Sequence, residues 1–532
     1  MSDITESLQS RYAAAKGNWL LWRSIYDEAY AYVFPQRDPW PDEQFEGVRK
    51  NTHVFDITAC NSARRLVSRL HKNLMPADLQ WFELQAGDYV VNLTEKNQLN
   101  TQLQIFTDII FRTLNDSNFN LVINELLQDL IIGTGGMMIL EGDDDEEPVK
   151  FKAVAPNTFY PEADAFDNIE TVWRDFNKVS GRDIERIWPK ARITENMRSR
   201  MKTNECSEFD FIEGFIYLPD KKKYRHVVLE QGEHDYLVDN EVESTPWIVA
   251  RWAKCSNEVG GRGVVLDAMP TIRSLNVLVE EIMRNVALST SPPWLASSDG
   301  IFNPYMFEIA PNKIIPINQS SMGNLPLQRL DVSSDIRTGS LEMQDMRQMI
   351  KDCLFDNPIR PITAPAQTAT EIQIRQQQFI EEIEPAFGRL SVELLPKIIN
   401  RVIHILQKKG HLPNQLRVDN RYVSIKYKSP IVRGADIQKV QNLGHYAQIL
   451  GGIAGGESVV GSLKVSDVPA WLADKLEVDA SLVKSPLEIQ QMLNMAVQAS
   501  LPQDPAANAN PQAQSGQEAL MQEAQQGGMP NG

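Results

Sequence analysis

The sequence predicts a helix-rich α+β protein, and three observations predict it. Apolar residues recur at helical spacing through the first 130 or so positions. The period then shortens to two over roughly residues 137–252. Helical spacing returns after residue 264 and ends in a stripe about 40 residues long. Strands and helices do not alternate as they would in a doubly wound sheet.

Taken in order, residues 13–34 read as a helix ended by Pro35-Gln36-Arg37-Asp38-Pro39, and 59–74 as a second helix ended at Pro76. Leu103, Phe106, Ile110 and Leu114 mark a third between 99 and 114. A fourth, 119–132, stops at Gly133-Thr134-Gly135-Gly136. Residues 137–140 and 149–154 flank the acidic stretch 142–147 as a hairpin, and further strands are expected at 171–177, 210–218, 224–229 and 247–252. A polar helix is expected near 181–188. Residues 266–288 form an amphipathic helix with Leu266, Met269, Ile272, Leu275, Val279, Ile282 and Val286 on one face. A Pro-rich stretch, 291–334, separates it from a second helix over 336–354.

After another Pro-rich break, 356–365, comes the longest helical pattern, 369–409. Ile372, Phe379, Ile383, Phe387, Leu390, Leu394, Ile398, Val402 and Ile405 hold its stripe. At 1.5 Å per residue such a helix runs roughly 60 Å. Pro385 and Pro396 each delete a backbone bond and kink it. They stand about three turns apart, so both kinks bend toward nearly the same side and the helix curves across the body. The alternative is two helices broken at Pro385 or Pro396. A strand at 422–427, a helix at 435–450, a Gly-rich turn at 451–456 and helices near 469–476 and 486–498 follow. The tail 501–532, dominated by Gln, Ala, Asn, Pro and Gly, is expected to be disordered.

The 532 residues allow about three or four folding units. With 53 Lys and Arg against 70 Asp and Glu the net charge is −17, the opposite of a protein that grips nucleic acid over its whole surface. Cys60, Cys206, Cys255 and Cys353 lie too far apart for a disulfide framework or zinc site and read as free thiols in a reducing compartment. The polar N-terminus lacks the features of a secretion signal, and no stretch approaches 18 consecutive apolar residues. A soluble protein that stays inside the cell is expected.

No chemistry-bearing motif survives scrutiny. A phosphate-binding loop needs GxxxxGK[ST], and the chain has no Gly-Lys dipeptide. The Gly-rich stretches 133–136 and 260–263 read as helix stop and turn. There is no HExxH or GxSxG, and no GxGxxG after a strand. The acidic run Asp143–Glu147 lacks the spacing of a calcium loop and reads as a solvated turn. His404 falls beside an apolar stripe, and His226 and His234 lack a companion at ligand spacing. The expectation is a protein that is not an enzyme and takes no metal or cofactor.

One ordered set of features resembles a known family. It runs from the amphipathic helix, Pro-rich insertion and second helix through a Pro-rich loop to Gln367-Thr368-Ala369-Thr370-Glu371-Ile372 and the long kinked helix. Asn73-Leu74-Met75-Pro76, Trp81-Phe82-Glu83-Leu84 and the segment Leu127 to Gly135 support it. The order resembles the portal proteins, or head-to-tail connectors, of short-tailed bacteriophages, over about residues 10–500.

The resemblance implies a ring of twelve chains at one capsid vertex with double-stranded DNA passing through its centre. It implies a wing (1–263), stem helices (264–290 and 335–355), a clip (291–334), a channel loop (356–368), the long helix with a return strand to the wing (369–433), a crown (434–500) and the tail (501–532). Asp356, Asn357, Pro358, Ile359, Arg360, Pro361, Ile362 and Thr363 would face DNA. Arg273, Arg284, Arg347 and Lys351, on the polar faces of the stem helices, would line or approach the channel, or else pair between subunits with Glu280, Glu281 or Glu342. Trp294, Asp299, Tyr305 and Lys313 of the clip would meet terminase and tail. The implied partners are other copies, capsid and scaffolding proteins, the terminase large subunit, tail and adaptor proteins and DNA, with no membrane. The implied location is the portal vertex of the virion, after synthesis in the host bacterial cytoplasm. Two rival readings are an α+β scaffold or adaptor that dimerises through its long helix, and a metal-dependent nuclease using Asp143–Glu147.

Overall fold

The structure, a computed structural model, describes residues 2–40, 50–87, 93–290 and 336–356, two short strands at 294–296 and 327–329, and most of 369–476. Short interruptions fall at 190, 204–206, 234 and at several positions between 415 and 466. Most of the expected clip, the loop 357–368, the helix at 486–498 and the tail lie outside the described residues. The chain divides into a large unit ending at Ile431 and a smaller one beginning at Val432.

The large unit is built on a main apolar core and a smaller cluster, around Trp188, Phe209 and Phe211, between the meander and the two short helices beside it. Helices α1 (Ser2–Leu20), α2 (Arg23–Val33) and α3 (Thr58–Leu74) precede strand β1 (Phe82–Ala86), then α4 (Leu93–Asp116) and α5 (Phe119–Ile132). Helix α5 buries a broad face, nine of its fourteen residues, and leaves Leu121 and Glu125 exposed on the other side. Next come β2 (Thr134–Glu141), β3 (Val149–Val154), β4 (Phe159–Ala163) and β5 (Ile169–Ser180), two short helices, α6 (Gly181–Ile187) and α7 (Glu195–Thr203), and β6 (Glu208–Leu218), β7 (Lys223–Glu230), β8 (Tyr236–Val242) and β9 (Trp247–Arg251). Strands β4 to β8 form an antiparallel meander, and β2 lies between β3 and β9 in a second antiparallel sheet.

Helix α8 (Val264–Thr290) leaves this body, the short strands β10 (Trp294–Ala296) and β11 (Leu327–Arg329) pair antiparallel, and α9 (Ile336–Cys353) returns against α8. Helices α10 (Ala369–Glu393) and α11 (Leu395–Lys408) then cross to β9 and β2, and β12 (Val423–Tyr427) pairs antiparallel with β1, Phe82 opposite Tyr427. The smaller unit holds all but the start of α12 (Pro430–Ala454), together with α13 (Val468–Leu476). No helix among the described residues is long and apolar enough to cross a membrane.

The expected single helix over 369–409 is two helices in series, a correction with a local cause. Pro385 lies inside α10, whereas Pro396 sits in the first turn of α11, where its missing N–H leaves no intrahelical bond unmade. One residue, Leu394 (φ −106°, ψ −63°), separates the two, and bonds from Leu394 N to Leu390 O and from Ile398 N to Leu394 O carry the ladder up to and away from it. The expected turn at 451–456 is helical as far as Ala454, where α12 ends, and residues 455 and 456 lie outside the described residues.

The two Gly-rich stretches singled out in the sequence meet each other. Gly263 N donates to Ile132 O (3.0 Å), Trp252 N to Gly133 O (3.0 Å), and Gly261 N to the Thr134 hydroxyl (2.8 Å). The buried Tyr26 hydroxyl donates to Gly261 O (2.6 Å). A Cβ on Gly263 would stand 2.0 Å from Ile131 O, and one on Gly133 2.3 Å from Gly261 O. Backbone therefore touches backbone where α5 ends and α8 begins, and only glycine permits it.

A second lock is polar. Asp129 on α5, 1% exposed, accepts from the Tyr30 hydroxyl (2.7 Å) and, through both oxygens, from Arg37 Nε and Nη2 (2.7 Å each). Burial works against the Arg37 charge, but the bonds and charge of Asp129 outweigh it and raise its pKa.

Two substitutions of one type should have opposite signs. Gly263→Ala forces a backbone clash and should cost about 2–3 kcal/mol. Gly388→Ala, in α10 with open space around its Cα, should gain about 0.5–1 kcal/mol from helix propensity. Urea midpoints at unchanged m-value measure both. Arg37→Ala, which strands a buried carboxylate, should cost about 3–5 kcal/mol in the same experiment.

Candidate functional site

The elements expected to carry function converge on α3, α8 and α9. Helix α8 turns Val265, Ala268, Met269, Ile272, Leu275 and Val279 into the core. Asn276, also buried, fastens the loop that precedes α3. Its Oδ1 accepts from Phe55 N (2.7 Å) and its Nδ2 donates to His53 O (2.8 Å). The same loop presents Asp56, which accepts from Thr58 N at the start of α3 (2.8 Å) and from Arg347 Nε on α9 (2.8 Å). Burial alone would raise the Asp56 carboxyl, but the bonds from Thr58 and the Arg347 charge hold it below the usual carboxylate value. One loop thus ties three helices.

The far end of α9 is tied to α3 as well. Phe355 N bonds Asp352 O and Asp356 N bonds Lys351 O, with Phe355 in the left-handed region (φ 53°). This is a Schellman ending with phenylalanine where glycine is usual. Three α3 side chains hold it. The Ser62 hydroxyl donates to Asp356 Oδ2 (2.8 Å), Arg65 Nη1 donates to the same oxygen (3.1 Å), and Arg69 Nη1 donates to Phe355 O (2.7 Å). Arg69 also stands 5.6 Å from the ring centre of Phe379 on α10. One helix therefore grips the chain on both sides of residues 357–368.

Asp356 was expected to face solvent and DNA. It is 1% exposed, and its carboxylate is committed to Ser62 and Arg65, so it belongs to the anchor and leaves the DNA-facing set. The Pro-rich context suggested an open loop; the charged α3 face, invisible to local periodicity, draws the residue in.

The other expected residues divide. Arg273 makes a bidentate pair with Glu28 (2.7 Å for both bonds), Arg284 pairs along its own helix with Glu280 (2.6 Å) and Glu281 (3.0 Å), and Arg347 pairs with Asp56. Arg273 and Arg284 nonetheless keep 57% and 63% of their side-chain surface exposed. The acids expected to pair between subunits thus include two, Glu280 and Glu281, that pair within one chain. Lys351 makes no ion pair among the described residues. Trp294 lies in β10 opposite Arg329. Asn357, Pro358, Ile359, Arg360, Pro361, Ile362 and Thr363 of the loop, and Asp299, Tyr305 and Lys313, lie outside the described residues.

Away from the stem, Asp143 pairs with Lys150 (2.7 Å), while Lys409 Nζ bonds the carbonyls of Gly142 (2.9 Å) and Asp144 (2.7 Å). His226 stacks on Phe215 and pairs with Glu213 (2.9 Å), and burial lowers the pKa of His404. These are packing and pairing arrangements with no nucleophile beside a base.

Helices α8 and α9 thus pack as a pair that leaves a body of mixed helix and sheet. The profile of the family described as bacteriophage head to tail connecting protein matches residues 5–483. The chain belongs to that family. Curated relatives can be aligned with it over most of its length. It is 19% identical over 506 residues to the probable portal protein of Bordetella phage BPP-1, covering 91% of this chain and 90% of that one. It is 20% identical over 458 residues to the portal protein of Salmonella phage epsilon15 (82% and 78%), and 19% over 407 residues to that of Escherichia phage T7 (73% and 72%).

In this connector chain, Ser62, Arg65, Arg69, Asp56 and Asn276 were missed by sequence reasoning. Arg65 and Arg69 stand one turn apart on an amphipathic helix, a spacing the sequence does display. Nothing local, however, points from them to a carbonyl 286 residues away.

Asp56 supplies a pH test. Its folded value lies below the ordinary 3.8, so its stabilisation is full above that value and is lost as pH falls through the folded one. Asp56→Asn should cost about 1–2 kcal/mol at neutral pH. The gap to the wild type should close progressively below about pH 4 in parallel urea titrations.

Proposed function

We propose that this connector is a portal subunit. Several copies form a closed ring at one vertex of the phage head, and the ring carries double-stranded DNA in during packaging and out at infection. The observation that carries the reading, beyond family membership, is the apolar surface that α8 and α9 leave uncovered in one copy. Val277, Met283 and Val286 on α8 and Leu341 and Met349 on α9 are all exposed, two of them by more than half on the returning helix. A helix pair bearing that much apolar surface wants neighbours, and a head-to-tail interface that closes makes a ring.

The charge distribution fits passage better than grip. The stem arginines Arg273, Arg284 and Arg347 already carry carboxylate partners, so few phosphate counterions would be released on contact with DNA and the duplex could slide. On this reading the body of the large unit is the wing, α8 and α9 are the stem, 291–334 is the clip that meets the terminase and later the tail, and 357–368 is the channel loop with Arg360 as its basic residue. Residues 434–500 form the crown, and capsid and scaffolding proteins surround the ring. The work is mechanical and not enzymatic, with ATP hydrolysis supplied by another chain. The subunit is made in the bacterial cytoplasm and ends in the virion.

Light scattering and negative-stain imaging of the purified chain test the proposal. Twelve copies of 60.2 kDa give a ring of about 720 kDa with a central hole. A compact dimer that forms no ring, alone or with capsid components, would sink the portal reading and favour a scaffold or adaptor.

A further inference from the structure

A groove of about 830 Å3 on the large unit runs between the meander, β9 and the α10–α11 pair. Its charge is unlike that of the chain around it. Lys222 at its rim makes no ion pair among the described residues. Lys397 and Arg401, one turn apart on α11, are largely withdrawn from water and meet backbone carbonyls only: Ile169 O for Lys397 (3.5 Å), Ile139 O and Ser244 O for Arg401 (3.3 and 3.1 Å). Burial lowers the pKa of both, that of Arg401 to about 10, and outweighs the opposing charges of Glu393 and Glu170 on Lys397 and of Glu141 on Arg401, none of which makes an ion pair with them.

Deeper in the lining, Arg251, 2% exposed, pairs with Glu393 (2.8 Å) but leaves Nη1 without an acceptor, and the buried Trp247 Nε1 has none either. Buried donors without acceptors are rare and costly. Against Lys221, Lys222, Lys223, Arg251, Lys397 and Arg401 the lining sets Glu170, Glu243 and Glu393, so the groove keeps a surplus of positive charge in a chain of net charge −17.

The complementary shape is on the same chain. The β2–β3 tip projects five consecutive acids, with the Asp143 and Asp145 side chains 87% and 88% exposed. Lys409 braces its backbone from behind through the carbonyls of Gly142 and Asp144. Asp144, Glu146 and Glu147 make no ion pair among the described residues. We propose that the groove between the meander and α10–α11 is a docking site for the acidic β2–β3 tip, residues 142–147, of a second copy of this chain. The contact is heterologous, tip to groove, so each copy gives one and receives one, and repetition closes a ring. The inference rests on the ring reading and adds an interface to it, separate from the apolar stem faces. Desolvated cations gain most from a carboxylate delivered without water, which makes the contact orienting as well as attractive.

Zero-length carbodiimide cross-linking of rings assembled from mixed 14N and 15N chains tests this. Mixed-label links from Lys222 or Lys397 to residues 143–147 are expected. Assembled rings in which those lysines link only within one label would overturn the docking while leaving the ring reading intact; a chain that never assembles would overturn both. Charge reversal gives a second arm, with folding checked by circular dichroism. Lys222→Glu at the exposed rim should raise the concentration needed for assembly at least several-fold, and Asp144→Lys with Glu146→Lys on the same chain should restore it. An unchanged assembly curve for Lys222→Glu, or a swap that fails to rescue a depressed one, counts against the proposal.

Discussion

The contact of Gly133, Gly261 and Gly263 sets the rest of the molecule. At that point the last turn of α5, the first residue of β2, the end of β9 and the first turn of α8 lie at backbone-to-backbone distance. A side chain at any of these positions would push α8 away from α5, and the direction in which α8 leaves the body of the large unit would change with it. Tyr26 and Thr134 saturate the polar groups that so tight a junction would otherwise leave bare. In the ring proposed above, precision would then depend on a few ångströms of main chain, repeated at every copy.

Around that junction, charge is spent mostly inside the subunit. Asp129 with Arg37, Asp56 with Arg347, Asp356 with Arg65, Glu28 with Arg273 and Glu393 with Arg251 each join elements distant in sequence. Pairs that are half-exposed contribute little individually, whereas the buried carboxylates specify which helix faces which. On the portal reading proposed above, a protein with an excess of acid that neutralises its own arginines would present DNA with little to hold.

Helices with strong periodicity were legible. The 119–132 helix was read to the residue, and the pair flanking the Pro-rich insertion to within two or three, because each buries one face against local neighbours. Strand β1 was not, since Phe82–Ala86 is short and its partner lies in β12, and β4 and β8 were missed because each is an edge of the meander with a broken alternation. The long helix was read as continuous because its apolar stripe continues through Leu394 and Leu395 even where the backbone does not. Asp356 was misplaced for a related reason. Its surroundings look like a loop, and the partners that bury it belong to a helix nearly 300 residues earlier. The two Gly-rich stretches were each understood as turns, and their meeting is a tertiary fact.

The pairing of β1 with β12 has a consequence for how the chain is born. Phe82 must wait for Tyr427, about 345 residues downstream, before its edge is covered. At a bacterial elongation rate of about 5–20 residues per second, that wait is roughly 20–70 seconds. During this time the nascent chain carries an open strand edge on the ribosome, while copies on neighbouring ribosomes carry the same edge at the same stage. Late closure separates synthesis from assembly. A subunit lacking its last third has no β12 to cover β1, so truncated products would be barred from the proposed ring, where one defective copy would spoil the whole.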